Sequence, residues 1–263
     1  MSRVLPGVVM AACCLALLAW ASTAVIQSVF VLVAAVGLFE FFRITSPSLQ
    51  GSLLYLSIFV ALFPVFFVFA GSIQAVLAGT IATILGGVVL SLKNHDRLDN
   101  AYLYLSSVVF GAMYVSVSLA HLSLLSTMEY GTSWLLILLG ITAGSDTGAY
   151  YVGKTFGRKK LMPAISPKKT IAGGVGGVAT GTLAAVIFAA LLPLPMRFSL
   201  LPTVVLLIVI GMMGDLAESA IKRSFDVKDS GTLLAGHGGI LDRIDSILLA
   251  GPVLFYCVLW GIL

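Results

Sequence analysis

The chain has 263 residues, of which 59% are hydrophobic and only 10% are charged, and its mean hydropathy is +1.09. This composition excludes an ordinary soluble globular domain, and apolar stretches of membrane-spanning length recur along the chain. The net charge of +4 is better explained by basic membrane loops and anionic ligands than by nucleic-acid binding. Cys13, Cys14 and Cys257 lie in apolar stretches without a metal-binding spacing, so neither a disulfide nor a zinc site is expected.

Nine membrane-spanning helices are predicted, which makes the chain an all-α, polytopic integral membrane protein. Their approximate ranges are 4–20, 22–42, 51–70, 72–92, 101–121, 132–152, 173–193, 201–221 and 240–262. The first range resembles a secretory signal peptide, with Arg3 before an apolar centre. Because the apolar character continues past Ala24, we interpret it as a retained span. No charge marks the divisions near residues 21 and 71, which leaves fewer, longer or re-entrant helices open there.

The chain, 1–263, is predicted to be a single membrane domain with an apolar half at 1–130 and a catalytic half at 131–263. With nine spans, 14 of the 15 Lys and Arg residues fall at the N-terminus or after the even-numbered spans, and only Arg197 falls opposite. Because basic loops stay on the cytoplasmic side, we expect a multi-pass protein of the plasma (inner) membrane. Its N-terminus, basic loops and active site should face the cytoplasm.

Two polar loops in the second half, Gly144 to Gly177 and Gly214 to Ser246, hold most of its charged residues. The "GHGG" at Gly236 to Gly239 precedes a predicted helix N-terminus, where backbone N–H groups bind phosphate. The "GGVGG" at Gly173 to Gly177 lies at the start of the seventh predicted span and suggests phosphate binding of the same kind, with close helix packing as the alternative explanation. Topology and attraction to anionic lipids are alternative reasons for the basic residues. Those that could neutralise phosphate are Lys168, Lys169, Lys222, Arg223, Lys228 and Arg243.

Four acidic residues accompany these bases. Asp146 and Asp215 lie near the ends of apolar spans, where an ionised carboxylate is costly, up to about 2.5–3.5 kcal/mol at a helix centre. Asp242 and Asp245 are three residues apart on one helical face, and with Asp215 they form a candidate Mg²⁺ site. Salt bridges to nearby basic residues are the alternative. Acids, bases and glycines together predict a phosphate- and metal-binding site for a nucleotide or a phosphorylated lipid.

The same residues resemble the signature of phosphatidate cytidylyltransferases, also called CDP-diacylglycerol synthases. The matching positions, with every spacing kept, are Ser219, Lys222, Arg223, Lys228, Asp229, Gly231, Leu234, His237, Gly238, Gly239, Asp242, Arg243 and Asp245. The "GD" at Gly214, the "DTGAY" from Asp146 to Tyr150 and the "SPKKT" from Ser166 to Thr170 also fit. The resemblance covers the C-terminal half, whereas the N-terminal half matches only in being apolar and multi-spanning.

The resemblance implies an enzyme of phospholipid biosynthesis that joins CTP and phosphatidate into CDP-diacylglycerol and pyrophosphate. It implies Mg²⁺ as cofactor, with a second cation left open, and Asp215, Asp242 and Asp245 as its carboxylates. The catalytic phosphate contacts it implies are Lys168, Lys169, Lys222, Arg223, Lys228 and Arg243. The substrate-binding residues are Asp146, Ser166, Asp229, His237, Gly238 and Gly239. Because the attacking phosphate is already anionic, catalysis should rest on positioning and charge neutralisation.

The sequence departs from the family pattern at two positions, since Ala235 replaces a proline and Ala172 replaces a glutamate. Expected partners are CTP, phosphatidate and the lipid bilayer, without nucleic acid; a homodimer is left open, as is the acyl-chain preference. One alternative is a related CTP-dependent nucleotidyltransferase or kinase that acts on another lipid. A transporter is another, but the charges collect at one membrane face, and in the first five spans only Glu40 is a candidate intramembrane charge.

Overall fold

A computed structural model describes residues 4–194, 197–231 and 238–263. Its helices are α1 (Val4–Trp20), α2 (Thr23–Thr45), α3 (Gly51–Ala61), α4 (Phe63–Phe66), α5 (Ile73–Lys93), α6 (Ala101–Gly111), α7 (Ser118–Leu125), α8 (Gly131–Phe156), α9 (Ile171–Leu191), α10 (Leu200–Ser224) and α11 (Leu241–Leu259). Short 3₁₀ segments follow α4 (Phe67–Ala70) and α5 (His95–Arg97), and a π-helical segment (Ala112–Val117) joins α6 to α7. One antiparallel hairpin, β1 (Lys160–Met162) and β2 (Ser166–Thr170), completes the described secondary structure.

The chain is a helical, multi-pass membrane protein, as the composition predicts. Each predicted span falls on a helical segment, but only six helices of the described residues are long and apolar enough to cross a membrane. They are Thr23–Thr45, Ile73–Lys93, Ala101–Leu125, Gly131–Phe156, Ile171–Leu191 and Leu200–Ser224. Helix α1 has 17 residues, and α11 carries three charged residues near its start. The count of nine spans therefore stays a prediction, as does the cytoplasmic N-terminus, and Arg3 lies outside the described residues.

The predicted third span, 51–70, is broken in the middle. Its two parts, Gly51–Ala61 and Phe63–Ala70, meet at a bend of 45°, and together they count as a seventh candidate span. Pro64 lies at the start of the second part. Since proline has no N–H and its ring crowds the carbonyl four residues earlier, it accounts for a kink at this point.

Contacts divide the chain into two compact units, each continuous in space but not in sequence. The first unit comprises Met1–Thr127 and Phe225–Arg243, and the second comprises Met128–Ser224 and Ile244–Leu263. Large apolar side chains fill the core of each unit. Those buried in the first are Leu38, Phe41, Phe42, Leu119, Leu122 and Leu125, and those in the second are Ile137, Leu138, Ile141 and Leu207.

Glycines let α8 and α9 of the second unit pack closely. A Cβ at Gly148 of α8 would lie 2.8 Å from the carbonyl oxygen of Gly176, and one at Gly173 of α9 would lie 2.8 Å from the carbonyl oxygen of Ala149. Both distances are shorter than a normal van der Waals contact, so a side chain would force the helices apart. The "GGVGG" segment therefore serves helix packing, which was the alternative to phosphate binding.

Between α8 and α9 the chain forms the β-hairpin, where Lys160 pairs with Thr170 and Met162 with Ser166. Thr170 ends β2 and also starts α9, because its Oγ1 accepts a hydrogen bond of 3.1 Å from the N–H of Gly173. More than half of the loop predicted from Gly144 to Gly177 is helical, since α8 continues to Phe156 and α9 begins at Ile171. The hairpin thus fixes the position of the "SPKKT" lysines relative to the helices.

Candidate active site

The second unit contains a cavity of about 540 Å³, a volume typical of small-molecule sites. Its walls come from α8, α9, α10 and the β-hairpin. The apolar lining residues include Leu138, Ile141, Leu207, Ile208 and Met212, and the charged ones are Asp146, Lys154, Lys160, Lys168, Lys169 and Asp215. Along α8 and α10 the apolar residues come first and the charged residues follow, so the cavity has an apolar part and a charged end. Such a cavity suits a ligand that combines an anionic group with an apolar one.

An ion pair crosses the charged end of the cavity. The Nζ atom of Lys169, on β2, lies 2.5 Å from Oδ2 of Asp215 on α10. Both side chains are about one third exposed, at 27% and 32%. Partial burial strengthens this charge-assisted contact relative to a surface pair. The pair ties the hairpin to α10 and keeps a cation and an anion beside the space that a ligand would enter.

The last helix approaches α10 at a glycine. A Cβ at Gly214 would lie 2.5 Å from the carbonyl oxygen of Asp245 and 3.2 Å from the Cα of Ser246, so only glycine permits this approach. The next residue along α10 is Asp215, and its negative charge acts directly on the carboxylate of Asp245. The "GD" pair of the motif thus has two roles, because the glycine brings α11 close and the aspartate contributes negative charge near Asp245.

Three carboxylates and one lysine form a single electrostatic group here. Asp245 interacts unfavourably with Asp215 and Asp146 and favourably with Lys169. A cluster of aspartates attracts a cation, and Mg²⁺ prefers carboxylate oxygens as ligands. Among the described residues, however, no three His, Cys, Asp or Glu side chains form a ready-made metal site. The residues therefore fit Mg²⁺ in charge and ligand type, and its binding stays a prediction.

The other predicted phosphate contacts of the second unit are Lys222 and Arg223 on α10 and Lys168 on β2. Lys222 forms an ion pair of 2.5 Å with Glu218, one helical turn earlier, and Glu218 is only 1% exposed. This lysine therefore compensates a buried carboxylate, whatever else it contacts. The neighbouring Arg223 is exposed at the end of α10. On β2, Lys168 is exposed and lines the cavity, and Ser166 is half-buried.

In the first unit, the chain before α11 carries much of the family signature and is described at residues 225–231 and 238–240. Asp242 organises this segment, the signature loop. Its Oδ2 atom accepts hydrogen bonds from the backbone N–H of Ser230 (3.0 Å), the Oγ–H of Ser230 (3.0 Å) and the N–H of Gly239 (2.9 Å). Gly238 has a positive φ of 80°, and a Cβ there would lie 2.6 Å from the same oxygen. Gly238 is thus required by the position of Asp242, whose side chain ties the two parts of the loop together just before α11.

The remaining predicted residues of the first unit lie at its surface. Lys228, Asp229 and Arg243 are exposed. His237 and Ala235 fall outside the described residues. The three predicted metal ligands belong to different units, Asp242 to the first and Asp215 and Asp245 to the second. The metal site that they would share therefore stays a prediction.

Three charged residues with contacts at these sites were not predicted from the sequence as site residues. Lys154 and Lys160 line the cavity, although their positions in the sequence predict only that their segment is cytoplasmic. The signal was present, since both lie in the same basic segment as Lys168 and Lys169. Glu40 of α2 is predicted from the sequence only as a candidate intramembrane charge, but its carboxylate accepts hydrogen bonds from Ser230 and Ile240.

Several curated proteins resemble this chain. A phosphatidate cytidylyltransferase of Bacillus subtilis is 42% identical over 152 residues, which cover 57% of this chain and 56% of that protein. A phosphatidate cytidylyltransferase of Staphylococcus epidermidis is 39% identical over 167 residues, covering 63% and 62%. An uncharacterized protein of Escherichia coli, YnbB, is 39% identical over 165 residues, covering 60% and 55%. The alignments thus span between about half and two thirds of these relatives.

The model of the cytidylyltransferase family matches residues 1–260, almost the entire chain. This match extends through the apolar N-terminal half, where motifs alone showed no resemblance. The chain therefore belongs to the cytidylyltransferase family.

Proposed function

We propose that this protein transfers the cytidylyl group of CTP to phosphatidate, giving CDP-diacylglycerol and pyrophosphate. The observation that carries the proposal is the cavity of the second unit, whose apolar lining ends in four lysines and two aspartates. A phosphorylated lipid has the matching anionic group and apolar chains. The names of the relatives in Bacillus subtilis and Staphylococcus epidermidis support the same substrates.

In the proposed reaction a phosphate oxygen of phosphatidate attacks the α-phosphorus of CTP. The new P–O bond forms as the bond between the α-phosphorus and the bridging oxygen breaks, and pyrophosphate leaves with that electron pair. The attacking oxygen carries no proton to remove, so the residues need only position and neutralise the two anionic reactants. Lys154, Lys160, Lys168 and Lys169 supply positive charge at the cavity.

Asp215 and Asp245 would hold Mg²⁺ in this proposal, and Asp146 adds negative charge nearby. When bound, the ion would supply charge neutralisation at the triphosphate. Lys169 then has a second role, because its ion pair keeps the Asp215 carboxylate oriented and offsets part of the repulsion among the acids. Asp242 of the first unit stays a predicted third carboxylate, with one oxygen already engaged by the signature loop.

We further propose nine membrane crossings, a cytoplasmic N-terminus and an active site that faces the cytoplasm at the plasma (inner) membrane. The one-sided distribution of Lys and Arg supports this orientation. It places the charged end of the cavity on the side where CTP is available.

A CTP-dependent lipid kinase is the second candidate, because a lysine-lined cavity for an anionic ligand also suits transfer of a γ-phosphate. Purified protein in proteoliposomes that contain phosphatidate or a lipid alcohol separates the two. Label from [α-³²P]CTP should enter the lipid fraction with phosphatidate, and label from [γ-³²P]CTP should be released as pyrophosphate. Lipid labelled only from the γ-position would instead identify a kinase, and no transfer to any lipid would contradict both.

A further inference from the structure

Glu40 is a buried carboxylate in the apolar N-terminal half. It lies on α2, is only 4% exposed, and forms no ion pair with a basic side chain among the described residues. An isolated charge in such a place is strongly destabilising unless other groups compensate it. The contacts of this side chain therefore need an explanation.

The compensating groups belong to the signature loop and the start of α11, all within the first unit. Oε1 of Glu40 accepts a hydrogen bond from the N–H of Ile240 (3.0 Å), and Oε2 accepts one from the N–H of Leu241 (2.8 Å). A third bond of 3.1 Å comes from the Oγ–H of Ser230. Because the first N–H groups of a helix lack partners and carry partial positive charge, they stabilise an anion. Glu40 thus caps α11 from a position two hundred residues earlier in the chain.

Ser230 connects Glu40 with Asp242. Its Oγ lies 3.1 Å from Oε2 of Glu40 and 3.0 Å from Oδ2 of Asp242. A hydroxyl has one hydrogen, so it serves one carboxylate at a time and holds the two acids at a fixed separation. Moving Glu40 would therefore change the surroundings of Asp242 directly.

The loop glycines leave room for this carboxylate. A Cβ at Gly231 would lie 2.5 Å from Oε1 of Glu40, and one at Gly239 would collide with Oε2 of Glu40 and with Oγ of Ser230. Both glycines belong to the signature recognised in the sequence. Their small size is explained by a side chain from α2, which the signature itself does not contain.

We propose that Glu40 is a positioning residue of the active site. It holds Ser230, the rest of the signature loop and the first turn of α11, and so keeps Asp242 in the orientation needed for cytidylyl transfer. The effect on turnover rests on the proposed function, whereas the effect on the loop can be measured without it. Partners of this kind change metal affinity or activity by about 10–100-fold when they are removed.

The direct test is Glu40→Gln, which keeps the size of the side chain but replaces one acceptor oxygen by a donor that opposes an N–H group. Hydrogen exchange of purified protein in detergent should become faster in the segment from Gly238 to Leu241, while exchange in α8 and α9 stays unchanged. Glu129→Gln, at an exposed acid, is the matched control and should leave hydrogen exchange unchanged both in the segment from Gly238 to Leu241 and in α8 and α9. Unchanged hydrogen exchange in Glu40→Gln would show that Glu40 does not hold the signature loop and would overturn the proposal.

Kinetics at matched amounts of folded protein then test positioning. Glu40→Gln should lower turnover about tenfold or more and should raise the Mg²⁺ concentration for half-maximal rate several-fold. Faster exchange with wild-type turnover and Mg²⁺ dependence would show a merely structural role and overturn the proposal. If Glu40→Gln does not fold, Ser230→Ala, which removes one partner of Glu40, should give a smaller change in the same direction, and wild-type behaviour of that variant would likewise contradict it. Inactivity of the wild-type protein would sink the proposed function but not the exchange result.

Discussion

Lys169 and Asp215 are joined by an ion pair of 2.5 Å between the β-hairpin and α10. The two residues are 46 positions apart, and each belongs to a different motif of the sequence, "SPKKT" and "GD". Their contact unites the two motifs at the charged end of one cavity. It also gives the cavity both signs of charge, which a site for a phosphate and a metal ion requires.

Asp215→Asn and Asp245→Asn should each lower turnover by about a hundredfold or more, because each removes a negative charge from the proposed Mg²⁺ site. Steady-state rates of cytidylyl transfer across a Mg²⁺ titration measure the effect. Asp99→Asn is the control, since Asp99 is an exposed acid in the first unit. Near-normal turnover of both site variants, at equal folded amounts, would rule out their role in metal binding.

Lys169→Met should weaken the site more than Lys154→Met. Both lysines line the cavity, but only Lys169 forms an ion pair with Asp215. Removing it loses a phosphate contact and leaves the aspartates without their offsetting charge. We expect about a tenfold larger loss of kcat/KM for Lys169→Met, measured with CTP at saturating lipid. Equal losses in the two variants would show that the ion pair has no separate function.

Gly148→Ala should destabilise the protein by about 1–3 kcal/mol, because the new methyl group would meet the backbone of α9. Gly174→Ala provides the comparison within the same helix pair. A Cβ at Gly174 would meet only the sulfur of Met212 at 4.0 Å, so that variant should be neutral or slightly stabilising. Thermal unfolding in detergent measures both, and equal melting temperatures would contradict the close packing of α8 and α9.

Ala172→Glu should stabilise the protein by about 0.3–1 kcal/mol. Helix α9 begins at Ile171, so residue 172 lies in its first turn, where a negative charge interacts favourably with the N–H groups. Thermal unfolding of the variant checks the gain, and Ala172→Gln is the uncharged control. A lower melting temperature for the glutamate variant than for the glutamine variant would exclude this reason.

Ser224→Cys tests the proposed orientation. In a background without Cys13, Cys14 and Cys257, the new thiol at the exposed end of α10 should react with a membrane-impermeant reagent only after the cytoplasmic face is opened. Phe198→Cys, at a fully exposed position before α10, should react in intact cells. The reverse pattern would invert the topology.

The sequence by itself determined the class of protein and the chemistry of its polar residues. Apolar periodicity and length are local properties, so each predicted span coincides with a helical segment. The spacing of Lys222, Asp242 and Asp245 likewise identified the family, since such motifs are short and continuous. The number of crossings does not follow from the sequence alone, because a helix of 17 residues such as α1 and a charged helix start such as that of α11 are both marginal for a span.

The tertiary structure decided which of these residues meet. Glu40 caps α11 and Gly214 lets Asp245 approach Asp215, and neither contact follows from a local pattern, because both join elements that are distant in the chain. The hairpin is a similar case, since it places Lys168 and Lys169 on β2 beside the cavity. Long-range pairing depends on how whole helices fit together, and a hydrophobic pattern specifies which face of a helix is buried but not which partner covers it.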